Sequence, residues 1–164
     1  MKYYDAIAEG YNELYSEEQL KKWNAAKRLI EFKPTDKVLD VGCGTGIITV
    51  LLAEKVASVK AIDSSKSMIE NAKRLNNINY QVADTTELPF KDKSFDKTVS
   101  FTVLQDIKDQ DAALKEIKRV TKGEVLLTIL KRNKNLEKVK EKLSKYFVIK
   151  KTIEEEKDFI FLLS

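Results

Sequence analysis

Short apolar runs alternate with helical stripes along most of this chain, and the period changes at turn-forming residues. Between Glu17 and Phe32, the residues Leu20, Trp23, Ala26 and Ile30 form one helical stripe with lysines opposite, and Pro34 ends it. Lys37–Val41 reads as a short buried strand, Ile47–Val56 as an apolar helix and Val59–Ile62 as a second strand. Ser64 or Ser65 caps a helix carrying Met68, Ala72 and Leu75, after which Ile78, Tyr80 and Val82 alternate as in a strand. Phe95–Val103 is the next strand, Leu114 and Ile117 mark a helix, and Glu124–Leu130 is a β-branched, leucine-rich strand. Leu136, Val139, Leu143 and Tyr146 return to helical spacing. The last two strands, Tyr146–Thr152 and Asp158–Leu163, are separated by residues 153–157, too few for a crossover helix, so they are expected to pair as an antiparallel hairpin.

This order predicts an α/β fold, a seven-stranded, mostly parallel sheet with helices on both faces and an antiparallel C-terminal hairpin. No repeat and no Pro/Gly/Ser linker divides the chain, so residues 1–164 are expected to form a single domain, a helical segment 1–33 followed by a core 34–164. In sheets of this kind ligands bind at the carboxyl ends of the strands, near the point where strand order reverses. The first strand-to-helix turn is the place to look.

Composition narrows the chemistry. With no histidine, the usual neutral-pH base, the Ser-His and Cys-His nucleophile pairs and imidazole metal ligation are all excluded. A single cysteine, Cys43, leaves no intramolecular disulfide and no cysteine-based structural metal site, so no metal is expected. No run reaches the length of a membrane span and no apolar leader core follows Met1, from which a cytoplasmic location is expected. The net charge of +4 is mild, but Lys131–Lys145 holds seven cations against two acids. That cluster is either a phosphate-binding patch or the solvated outer face of an amphipathic helix.

Three of the five glycines sit together, in Val38-Leu39-Asp40-Val41-Gly42-Cys43-Gly44-Thr45-Gly46, directly after the first strand. A dinucleotide-binding turn would place its third glycine where Ile47 stands, and Asp40 beside the turn would repel a pyrophosphate. The same acid favours a cofactor that carries an ammonium and a sulfonium and no phosphate, S-adenosylmethionine. Asp63 ends the second strand, 23 residues after Asp40, where a carboxylate can accept from both ribose hydroxyls of an adenosine. Asp84 ends the third, where it either accepts from an adenine amino group or caps the turn before Thr85. Cys43 and Trp23 read as packed side chains.

From Tyr4 to Leu130 the chain resembles class I S-adenosylmethionine-dependent methyltransferases, of the small group that includes ubiquinone-biosynthesis and tRNA-wobble enzymes, in a short, archaeal-looking form. Val38–Gly46 is similar to the first motif of that family, Ala61-Ile62-Asp63-Ser64-Ser65 to the second, and Ala83–Phe90 followed by Ser94-Phe95-Asp96 to the third. Tyr4–Asn12 is similar to the amino-terminal segment that folds over the cofactor. The resemblance implies a Rossmann-like fold, S-adenosylmethionine as cofactor and S-adenosylhomocysteine as product. It also implies that Asp63 with Ser64 holds the ribose, Asp84 with Thr85 the adenine, and the Gly42, Gly44, Gly46 turn beside Asp40 the methionyl part. Tyr11 then lies near the carboxylate or sulfonium, Met68 belongs to the cofactor wall or to the core, and Phe101 and Gln105 line the methyl-transfer mouth.

Where many relatives carry paired histidines after the fourth strand, this chain has Gln105-Asp106. In-line methyl transfer requires alignment above all, and a base only where the acceptor must lose a proton; Asp106, Tyr4 and Tyr11 are the candidates. Asp106 and Asp109 read equally as caps of the following helix. Because Leu130 leads almost directly into the Asn135 helix, little chain is available for a closed cap. The expected acceptor is therefore large, a tRNA or a protein, with a small metabolite, or a silent cofactor-binding subunit, as the alternatives. The family's strand order leaves Ile78–Val82 at a sheet edge, where some relatives bind a small zinc-ribbon activator protein.

Overall fold

The computed structural model describes residues 11–132 and 134–164, with the side chains of 11–14 left aside. Elements follow in the order α1 (Tyr11–Ala26), β1 (Lys37–Val41), α2 (Ile47–Ala53), β2 (Ser58–Asp63), α3 (Lys66–Glu70), β3 (Ile78–Val82), β4 (Lys97–Phe101), a 3-10 turn (Leu104–Asp106), α4 (Gln110–Val120), β5 (Val125–Leu130), α5 (Leu136–Leu143), β6 (Ile149–Glu154) and β7 (Asp158–Leu163). The seven strands form one sheet in the order β3-β2-β1-β4-β5-β7-β6. β1 to β5 are parallel; β7 lies antiparallel between β5 and β6, and its antiparallel pairing with β6 follows from a connection of only residues 155–157, shorter than the 153–157 expected.

Period-two alternation divides the core between two faces. Leu39, Val125, Leu127, Phe159 and Phe161 pack on one face with Leu114 and Ile117 of α4 and Leu143 of α5. Val38, Val59, Leu126, Ile160 and Leu162 pack on the other with Ile48 and Leu52 of α2 and Trp23 of α1. Strand order reverses between β1 and β4, so the turn after β1 and the bend after β4 open side by side at the carboxyl end of the sheet.

Two helices differ most from the periodic pattern, while α2 and α5 each end three residues early. α1 starts earlier than Glu17 and stops at Ala26, where the Leu29 N–H tightens onto the Ala26 carbonyl at 2.9 Å; before Pro34 the Asp36 side chain accepts from the Lys33 N–H at 2.8 Å. Phe32 nevertheless stays on the apolar stripe by stacking on Trp23 at 6.1 Å. α3 is only five residues long and ends before Ala72. The Asn71 amide donates to the Ser67 carbonyl, and the Lys73 N–H turns away to the Thr45 carbonyl in the glycine turn.

The two sheet edges are unlike. β6 carries Lys150 and Lys151 and an irregularity between Ile149 and Lys151, both of which oppose further pairing. β3 is Ile78-Asn79-Tyr80-Gln81-Val82, with no charge and with Val82 47 % exposed. Val59 N–H donates to the Asn77 carbonyl and Ala83 N–H to the Asp63 carbonyl, so odd-numbered residues face β2. The backbone N–H and C=O groups of Tyr80 and Val82 therefore point off the edge.

Candidate functional site

A cleft of about 400 Å³ opens at the carboxyl ends of β1, β2, β3 and β4. Its walls include Gly42, Gly44, Asp63, Ser64, Met68, Asp84, Thr85, Phe101 and Asp106. All nine were singled out in the sequence. Volume and polarity suit one drug-sized ligand.

Gly42 (φ +71°), Gly44 (φ +55°) and Gly46 (φ +84°) are all left-handed, which folds the backbone back so that Gly42 N–H reaches the Ile62 carbonyl at 2.8 Å. A Cβ on Gly42 would meet Val103 Cγ2 at 2.2 Å, and one on Gly46 would meet the Tyr80 hydroxyl at 2.2 Å. The turn is thus roofed by Val103 on the cleft side and held by Tyr80 behind. Tyr80 donates to the Lys73 carbonyl at 2.9 Å, and its burial raises the phenol well above its ordinary pKa.

Asp63 ties the turn to β2: one carboxylate oxygen accepts from Gly44 N–H and the other from Ser65 N–H, each at 2.9 Å. Ser65, rather than Ser64, caps α3 by accepting from Met68 N–H, so Ser64 is left exposed on the cleft wall. Met68 serves both readings, because it is 1 % exposed and still forms part of the wall. Asp84 does too: one oxygen accepts from the Thr86 N–H and hydroxyl at 2.8 Å, which lowers its pKa, while the residue lines the cleft.

Asp40 lies beneath the turn, 2 % exposed, and accepts from Thr49 Oγ1 at 2.7 Å. It borders a second, much smaller cavity with Gln19 of α1, Cys43 and Phe101, on the far side of Gly42 from the main cleft. Burial, against the opposing Thr49 bond and helped by the negative charge of Asp63, pushes Asp40 up to about 7. Because this folded value exceeds the unfolded 3.8, the folded chain favours the neutral acid. Its stabilising contribution is complete below pH 3.8, falls as pH rises, and is gone above about 7, a change of roughly 4 kcal/mol. The lowered Asp84, Asp96 and Glu116 are already ionised across pH 5–7.5 and stay constant there. Asp40→Asn is therefore expected to gain on wild type in melting temperature as pH rises from 5 to 7.5. Parallel scanning-calorimetry profiles would contradict the shifted pKa.

Gln105 and Asp106 part company. Asp106 faces the main cleft, whereas the Gln105 amide donates to the Thr102 carbonyl at 2.7 Å and borders a separate small cavity with Leu104, Gln110 and Lys142. Asp109 is the helix cap, accepting from Ala112 N–H at 2.9 Å. Tyr4, and the side chain of Tyr11, lie outside the described residues. Of the basic cluster, Lys131 pairs with Glu154, Lys140 with Glu137, and Lys142 donates to Gln110.

Sequence reasoning missed Thr102, Val103, Ile107 and Lys108, which complete the cleft. It also missed Lys22 of α1, which is 1 % exposed and donates to Thr102 Oγ1 at 2.7 Å. Thr102 is left-handed at φ +58°, a conformation with no signature in a threonine.

A glycine turn, an acid at each of three strand ends and a cleft at the reversal of strand order mark a protein of the Rossmann-like class. The chain belongs to the methyltransferase-domain family, whose model matches residues 39–129. It is 37 % identical to the demethylmenaquinone methyltransferase of Thermotoga maritima over 79 % of this chain and 60 % of that one. Against the enzyme of the same name from Corynebacterium glutamicum it is 36 % identical over 77 % of this chain and 56 % of that one. The chain thus spans little more than half the length of these curated relatives. In fold it matches a methyltransferase of Haloferax volcanii, solved in complex with the Trm112 methyltransferase activator, with a TM-score of 0.86 at 17 % identity over 98 % of this chain and 96 % of that one. Among the described residues no helix is long and apolar enough to cross a membrane.

Proposed function

We propose that this protein transfers the methyl group of S-adenosylmethionine to a large acceptor, a tRNA or a protein, and does so with a small zinc-ribbon activator added to β3. The observation that carries the cofactor assignment is the convergence of Asp63, Asp84 and the glycine turn on one cleft. The residues present fit the cofactor: the acids on the cleft wall suit hydroxyl, amino and ammonium groups, and nothing in the donor set favours a pyrophosphate.

When bound, the sulfonium supplies an activated methyl and its own leaving group. Asp63 orients the ribose with Ser64 beside it, Asp84 and Thr85 hold the adenine edge, and Met68 packs along the adenosine. Gly42, Gly44 and Gly46 let the backbone approach the methionyl part, whose ammonium draws on Asp40. Phe101 shields the mouth from water. Asp106 is the described carboxylate placed to take a proton from an incoming acceptor, a role shared in this proposal with Tyr4 and Tyr11. Gln105 acts from behind, through the Thr102 carbonyl.

The large acceptor is supported by Lys108 on the cleft wall and by exposed Arg132, Lys134 and Lys138 after β5. The names of the curated relatives favour a second reading, a quinone-like small acceptor. Tritium transfer from labelled cofactor into size-fractionated cell extract separates the two. Label confined to the small-molecule fraction would sink the large-acceptor reading.

The activator reading draws on the uncharged β3 edge and on the partner named with the Haloferax structure. Val82→Pro removes an outward N–H and leaves the bonds to β2 in place. Co-expressed with a zinc-ribbon activator, wild type is expected to co-purify and the Val82→Pro variant to lose the partner while still binding cofactor. Equal retention of both would rule out pairing at this edge.

A further inference from the structure

Two consecutive residues of α1 grip two consecutive residues of the cleft mouth. Lys22 donates to Thr102 at 2.7 Å, and the Trp23 ring lies 6.3 Å from that of Phe101. Lys22 is buried between Asp158 at 3.1 Å and Glu18 at 3.0 Å. Asp158, 0 % exposed, also accepts from the Thr102 hydroxyl at 3.2 Å. Thr128 of β5 accepts from Thr102 N–H through its side chain at 2.8 Å and its carbonyl at 3.2 Å. Threonine rarely adopts φ +58°, and here contacts from α1, β5 and β7 hold it there. The bend it makes directs Val103 onto Gly42 as the roof of the glycine turn.

We infer that Lys22 is a positioning residue for cofactor binding, holding Thr102 in its left-handed bend so that Phe101 and Val103 stand in place at the mouth. This rests on the S-adenosylmethionine assignment above. Lys22 does not itself line the cleft; it acts through Thr102, which does. The only tryptophan, Trp23, is the neighbouring residue, and its packing on Phe101 lets its emission report the state of the mouth.

Removing both buried charges separates position from stability, since a neutral pair of similar size can replace a buried ion pair without loss. The test compares wild type, Lys22→Met/Asp158→Asn and that double variant with Thr102→Gly by calorimetry with S-adenosylmethionine, tryptophan emission and thermal melting. The double variant is expected to melt near wild type, bind at least tenfold more weakly and lose the cofactor-dependent change in Trp23 emission. Thr102→Gly is expected to restore affinity to within threefold of wild type, because glycine holds the bend without the clamp. Thr128→Val, which leaves every charge in place, is expected to weaken binding three- to tenfold. Wild-type affinity in the double or the Thr128→Val variant, or no rescue by glycine, overturns the inference. A wild-type chain that binds no S-adenosylmethionine defeats the cofactor assignment instead.

Discussion

Replacing Asp63 by alanine is expected to weaken S-adenosylmethionine binding by roughly two to three orders of magnitude, with only a small change in melting temperature. Two losses combine. The proposed ribose contacts are charge-assisted hydrogen bonds, each contributing about 1.5–3 kcal/mol where the donor sits in a partly desolvated cleft. The second loss is geometric: Asp63 holds Gly44 N–H and Ser65 N–H, so alanine frees both the glycine turn and the cap of α3. Those groups lie at a solvent-lined cleft and can be rehydrated, which keeps the cost to the fold low. Titration calorimetry beside a thermal melt checks both halves. An Asp63→Ala chain that binds like wild type removes the basis of the ribose assignment.

Lys22→Met alone is expected to be the most damaging single change to the fold. It strands Asp158, 0 % exposed, without its cation. Breaking one half of a buried pair costs about 3–5 kcal/mol, because the remaining charge has neither water nor a counter-ion. For a chain of this size that corresponds to a fall in melting temperature of roughly 6–20 °C. Burial already raises the Asp158 pKa with Lys22 present, so the variant is expected to recover part of its loss in acid, where Asp158 is neutral. A loss that is the same at pH 5 and pH 8 would show that the stranded carboxylate is not its cause.

Legibility of the sequence followed periodicity. Strands such as Lys37–Val41 and Asp158–Leu163 were readable because burial on both faces makes them continuous apolar runs, and the hairpin followed from the short connection. Asp63, Asp84 and the glycines were readable because strand ends deliver side chains to the same place in every sheet of this topology. Lys22 was not: in a helix rich in Lys and Glu it looks like one more solvated cation, and its burial comes from β7, more than a hundred residues away. Thr102 was hidden for the complementary reason, that left-handed backbone announces itself in glycine and not in threonine. The same bend turns Gln105 toward a neighbouring cavity and Asp106 toward the cleft, an outcome that spacing along the chain does not encode. The shortening of α3 belongs with these, since the Lys73–Thr45 bond that draws the chain away is tertiary.

The asymmetry of the two sheet edges limits stoichiometry. Growth by strand addition needs a receptive edge on each side of the unit, so that every added subunit offers a new end. Here β6 is guarded by its lysines and its irregularity, and β3 alone is receptive. One strand added at β3 uses up that edge, and the product is a closed pair instead of a fibre.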